Sequence, residues 1–175
     1  MKIRAALVVL MFAFALVNAA HANAATRLVV SPQGPYTTIQ DALRDARAGD
    51  EIEVNGGTYH GNFVIEKSVT LNGINAPILD ADGRGTVVTI NAPGVTLRGF
   101  EIRNSGSEPD QDHAGITANA PRALLEKNKL SQVLFGIFLA QAPDSVVREN
   151  EITSQAKYDI GRKGDSIRLW YSPRT

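Results

Sequence analysis

The pieces VTLRGFEI, ALLEKNKL and SVVRENEI recur between Val95 and Thr153. In each, an apolar residue is followed five places on by another, giving the pairs Leu97/Ile102, Leu125/Leu130 and Val147/Ile152. An earlier copy, VTLNGINAPI, places Leu71 26 residues before Leu97, and the next two intervals are 28 and 22 residues. No copy of so short a unit can bury its apolar face alone, so repetition at this period marks a solenoid. The same strand returns only after two others, which predicts parallel stacking and not hairpins. Asn128 and Asn150 occupy one slot 22 residues apart, with Gly99 in the adjoining one. Asn and Gly accept positive φ, and repeated Asn side chains can hydrogen-bond from coil to coil.

Other segments fit this scheme. Leu28–Val30, Asp50–Val54, Phe63–Ile65, Val69–Leu71, Ile78–Leu79 and Val87–Ile90 read as short strands, and Asn55–Tyr59 reads as a turn. One amphipathic helix is expected, Thr38–Ala48, with Ile39, Ala42, Leu43 and Ala46 on one face. Thr37 and Gln40 have capping-box spacing, and Gly49 stands where a left-handed C-terminal cap would. Arg44 and Arg47 face solvent near the helix C-terminus, where cations favour the dipole. A solenoid end exposes core and free strand edge, so this helix is expected to cap the first coil.

Residues 1–24 carry Lys2 and Arg4, then the 13-residue apolar run AALVVLMFAFALV, then Ala22-Asn23-Ala24. The run is short of the ~20 residues that a spanning helix needs. It has the form of a cleavable export signal, cut after Ala24 or after Ala22. Ala25–Thr175 is then a single domain of 151 residues, with no further segment able to span a bilayer. Without Lys2 and Arg4, 16 basic residues face 18 acidic ones, a net charge of −2. That balance offers nothing to attract nucleic acid or anionic lipid. There is no Cys, and both Met residues, Met1 and Met11, lie in the signal, so the soft ligands preferred by cuprous copper are missing.

Three groups could carry chemistry. Asp110, Asp112 and His113 form the polar run PDQDH, whose D-x-H spacing can bring carboxylate and imidazole to one ion; the run also reads as a solvated insertion. His60 is expected to face solvent. Asp80 and Asp82 with Arg84, or Asp159 with Lys163, Asp165 and Arg168, could supply hard oxygen ligands and a base, although D-x-D-G-R is also an ordinary Asx turn. Arg162, Lys163, Arg168, Trp170 and Tyr171 could form a partner-contact patch, since Arg, Trp and Tyr dominate interface energetics. Trp170 packing into a further coil is the other reading of that segment.

The stretch GPYTTIQDALRDARAGDEIEVNGGTYHGNFVIEKSVTLNG, Gly34–Gly73, resembles the opening of right-handed parallel β-helix proteins of the pectin-lyase-like group and its carbohydrate-binding and sugar-hydrolase (CASH) relatives. GRKGDSIRLWYSP, Gly161–Pro173, resembles the G-D-x-I-x-L-W segment of the NosD family, and FGIFL, Phe135–Leu139, fits the same family. The resemblance implies an all-β, right-handed parallel β-helix. It implies a periplasmic, non-enzymatic accessory role in maturation of nitrous oxide reductase and its copper–sulfide cluster. The implied partners are that reductase and the ATPase and permease of an ABC-type transporter. Copper is implied as possible cargo, with no ligand motif to place on particular residues. A polysaccharide-binding or polysaccharide-modifying β-helix, such as a lyase or epimerase, is the alternative. The family is longer, and SIRLWYSPRT closes in a strand and a turn, so a C-terminally truncated domain is expected.

Overall fold

The computed structural model describes residues 24–155 and 164–175. Residues 1–23, which the sequence reading places in an export signal, lie outside them. In chain order the elements are β1 (Arg27–Val30), α1 (Ile39–Asp45), β2 (Glu51–Asn55), β3 (Thr58–His60), β4 (Phe63–Ile65), β5 (Thr70–Ile74), β6 (Ile78–Asp80), β7 (Val88–Ile90), β8 (Thr96–Arg98) and β9 (Glu101–Arg103). A 3-10 turn, Pro109–Gln111, precedes β10 (Ala114–Ala118), β11 (Leu124–Glu126), β12 (Lys129–Val133), β13 (Phe135–Ala140), β14 (Val146–Arg148), β15 (Glu151–Ser154) and β16 (Ile167–Trp170).

These strands form three parallel sheets in the orders β1-β2-β5-β8-β11-β14, β3-β6-β9-β12-β15 and β4-β7-β10-β13-β16. The chain visits the sheets in turn, so each coil stacks on the last as a right-handed parallel β-helix. The apolar pairs of the repeat become continuous internal rows. Leu28, Ile52, Leu71, Leu97, Leu125 and Val147 are in register along the first sheet. Tyr59, Leu79, Ile102, Leu130 and Ile152 line the second. In the third, Ile65, Ile90, Ala118, Leu139 and Leu169 stack in the same way. Ile52, Leu71, Leu97, Leu125, Leu79, Ile102 and Leu130 are buried. Each such side chain contributes about 1.5–3 kcal/mol by leaving water.

The corners repeat too. Between the first and second sheets, Gly99, Lys127 and Glu149 all have positive φ, of 79°, 55° and 56°. The left-handed position is thus one residue before the asparagines, which do not adopt it. Asn128 and Asn150 form a hydrogen-bonded ladder: Asn128 Nδ2 donates to Asn150 Oδ1 at 3.0 Å and to the Leu97 carbonyl at 3.0 Å. Between the third and first sheets runs a turn that the apolar repeat does not disclose. Asn91-Ala92-Pro93-Gly94, Asn119-Ala120-Pro121-Arg122 and Gln141-Ala142-Pro143-Asp144 correspond, each with its alanine buried and its fourth residue left-handed. The Gly94 and Arg122 amides donate to the carbonyls of Pro121 and Pro143, both at 2.9 Å.

The helix closes the first coil, packing on β1, β2 and β4 with Ile39 and Ala42 buried. It is shorter than the spacing predicts, and its cap is Thr38, not Thr37. The Thr38 hydroxyl accepts from the Asp41 amide at 3.1 Å and donates to its carboxylate at 2.6 Å. Gly49, with φ 93°, lies beyond the helix end, in the turn into β2. The carbonyls that a glycine cap would help satisfy are bound instead by Lys67, whose Nζ donates to Leu43, Arg44 and Ala46 at 3.1, 2.6 and 2.8 Å. The expected turn Asn55–Tyr59 shrinks to Gly56-Gly57, because Thr58–His60 pairs with β6 and sends Tyr59 inward. Among the described residues no helix is long and apolar enough to cross a membrane.

Candidate functional site

Two groups that lie far apart in the chain meet on the third sheet. The coil between β9 and β10 carries an insertion, residues 104–113. Its base is pinned by buried Ser105, whose Oγ accepts from the Leu134 amide at 2.9 Å, and by the Gly106 amide, which donates to Gly85 at 2.8 Å. Asp112 Oδ1 accepts from Arg168 Nη1 of β16 at 2.6 Å. The Arg168 guanidinium also lies 5.3 and 5.2 Å from the ring centroids of Phe135 and Phe138. It is therefore held both by a carboxylate and by aromatic faces.

The Asp110, Asp112 and His113 side chains are thus drawn to different surroundings. Asp112 is turned to Arg168 and Asp110 is exposed. Glu108 Oε2 lies 2.8 Å from His113 Nδ1 without the alignment that a hydrogen bond needs, leaving that buried nitrogen unpaired.

In β16, Arg168 and Trp170 point outward in register with Phe138 and Ala140, while Ile167 and Leu169 point inward. Trp170 does not enter the core: it is 54% exposed and Tyr171 75%. Their rings meet edge to face at 5.2 Å. Arg168, Trp170 and Tyr171 are therefore presented at one end of the outer face of the third sheet. Arg162 and Lys163, which the sequence assigns to the same patch, lie outside the described residues, as does Asp159.

A second cluster lies on the second sheet. Stacking β3, β6 and β9 puts His60, Asp80 and Arg103 in one outward column. Asp80 is buried; its carboxylate accepts from Arg103 Nε at 2.7 Å, the Asp82 amide at 2.9 Å and Asn104 Nδ2 at 2.9 Å. Burial pushes its pKa up, but these donors together outweigh it and hold the carboxyl below the usual range. His60 Nδ1 and Asp82 Oδ1 are 2.9 Å apart at the surface. His60, Asp80 and Asp82 are the group of three among the described residues whose ligand atoms lie within 4.8 Å of one another. Asp80 already accepts from three donors, so the arrangement is that of the expected Asx turn tied to the neighbouring coil. Its cation is Arg103 and not Arg84, a partner one coil away that only strand register reveals.

The first sheet's outer face carries a further charged column. Glu126, buried between Arg98 and Arg148, accepts from Arg148 Nε at 2.8 Å and lies 3.8 Å from Arg98. The Arg148 hydrogen bond holds its carboxyl below the ordinary range despite burial.

No family model matches the chain. It is similar to two curated proteins, each called a probable ABC transporter binding protein NosD, from Pseudomonas aeruginosa and Stutzerimonas stutzeri. Each is 30% identical over 116 residues, which cover 65% of this chain and 27% of the relative. The chain thus spans about a quarter of the length of those relatives. Among solved structures it is similar to a pectin methylesterase from Aspergillus niger, with TM-score 0.50 and 13% identity over 85% of this chain and 75% of that one. That likeness is one of fold: both are β-helices.

Proposed function

We propose that this protein is a NosD-like accessory factor that is exported to the periplasm and works beside an ABC-type transporter in the maturation of nitrous oxide reductase. The observation that carries the reading is the likeness to the two NosD proteins, which runs along 65% of the chain. The coils serve as a rigid rod, and partners are met at Arg168, Trp170 and Tyr171, where two exposed aromatic rings stand beside a partly buried guanidinium. Such residues dominate binding energy when a partner desolvates them. The factor performs no catalysis of its own. Copper, the cargo implied by the resemblance, would find its soft ligands outside residues 25–175, which have neither Cys nor Met to ligate the cuprous ion.

Affinity-tagged protein, isolated after mild crosslinking from cells making the transporter and the reductase, is expected to carry one of them. Trp170→Ala and Tyr171→Ala are expected to abolish that capture at unchanged thermal stability. Capture that is absent, or indifferent to both substitutions, contradicts the assignment.

A further inference from the structure

We propose that the 104–113 insertion is a strap that keeps β16 seated on β13, with Asp112 as its fastening and Arg168 as the post. Among the described residues β16 pairs with β13 alone. Its inward side chains are half exposed, Ile167 at 48% and Leu169 at 53%, so burial holds it far less than it holds the inner strands. Contacts outside the ladder therefore weigh more on this strand than on its neighbours.

The strap has two fixed feet. The first is the Ser105 and Gly106 pair of bonds to Leu134 and Gly85, and the second is the His113 carbonyl, which accepts from the Phe135 amide at 3.2 Å. A side chain at Gly106 would collide with the His113 ring and the Gly85 backbone, so the loop is packed down on the coil beneath it. From this base Asp112, at φ 49°, reaches a residue 56 positions ahead. Arg168 in turn lies over Phe135 and Phe138, both on β13. One guanidinium thus joins β16 to β13 by its stacking and to the strap by its ion pair. Asp112 acts on the contact patch through Arg168 and is a positioning residue.

The strap stands independently of the proposed function, and hydrogen exchange tests it on the protein alone. The amides of Gly136, Ile137 and Gln141 donate to Asp165, Ser166 and Trp170 at 3.0, 2.9 and 2.7 Å, so their protection reports directly on β16. Asp112→Asn is expected to speed exchange at these three by roughly two- to fivefold, the scale of a half-exposed ion pair. Sodium chloride at about 1 M, where the screening length is about 3 Å, is expected to do the same to the unaltered protein. Arg168→Met, which loses the stacking as well, is expected to exceed both. The Asn119 amide, bonded to Ile90 at 2.8 Å deeper in the sheet, is expected to be unmoved. Glu53→Gln, which removes the Arg27–Glu53 pair at the far end of the stack, is expected to leave all four amides unchanged. Unchanged exchange in Asp112→Asn and in high salt overturns the strap. So does acceleration that is equal at Asn119.

Discussion

Asn128 and Asn150, 22 residues apart, share one hydrogen-bond path: the Asn150 Oδ1 accepts from both the backbone amide and the side-chain nitrogen of Asn128, each at 3.0 Å. Asn128 Oδ1 accepts from the Phe100 amide at 3.2 Å, so the path ties three coils together at one corner. Asn128 is buried, whereas Asn150 is only partly so. Asn128→Ala leaves the Phe100 amide and the Leu97 carbonyl without this partner. Each buried group so orphaned costs about 1–3 kcal/mol. Urea unfolding is expected to show the larger loss for Asn128→Ala and a smaller one for Asn150→Ala. Equal losses contradict a ladder graded by burial.

Leu97 and Val147 stand in the same internal row, but Leu97 is fully buried while Val147 is only partly buried near the end of the stack. Leu97→Ala is expected to cost about 2–5 kcal/mol, the range for emptying a well-packed site. Val147→Ala is expected to cost clearly less, because it removes fewer atoms and leaves no enclosed cavity. Chemical denaturation of the two variants compares them.

Lys67 closes the helix by binding three carbonyls with one ammonium group. Lys67→Met keeps most of the side-chain volume and removes the charge and the donors. A loss of about 1.5–3 kcal/mol is expected, as for a hydrogen bond to a charged group, together with faster amide exchange within α1. A variant of unchanged stability shows that water caps the helix equally well.

Asp80 links acid stability to coil stacking. Because its carboxyl is held below the usual range in the folded protein, it stabilises the fold fully above the unfolded value of about 3.9, and the contribution fades as pH falls through the lowered native value. Asp80→Asn is therefore expected to be less stable than the parent at neutral pH, with the gap closing toward acid. Thermal melts from neutral to acidic pH measure it. A gap that stays constant means that Asp80 acts by shape and not by charge.

Much of the scaffold is legible in the amino-acid sequence. The Leu71, Leu97, Leu125 and Val147 row and its Ile102, Leu130 and Ile152 counterpart follow from spacing alone, because in a solenoid the register of stacking is also a period of the chain. The helix start is ambiguous there because Thr37 and Thr38 both suit a cap, and only the backbone path selects Thr38. The Asn-Ala-Pro turns at Asn91 and Asn119, and the matching Gln141-Ala142-Pro143, are visible in the sequence but lie outside the apolar units that reveal the repeat. The Arg103–Asp80 and Arg168–Asp112 pairs are not legible, being 23 and 56 residues apart. Coil lengths vary, so outward-facing partners cannot be matched until strand boundaries are known. The PDQDH insertion stands out as an interruption, but its polar residue types suit an ion site and an ion pair alike, and only the fold brings Asp112 to Arg168.

An accessory role in assembling the copper–sulfide centre of nitrous oxide reductase is tested most directly by the copper and sulfide content of the reductase purified from a strain lacking this gene. The reductase is expected to be present but deficient in its cluster, with content restored by the intact gene and not by a Trp170→Ala copy. Full cluster content in the deletion strain contradicts that role.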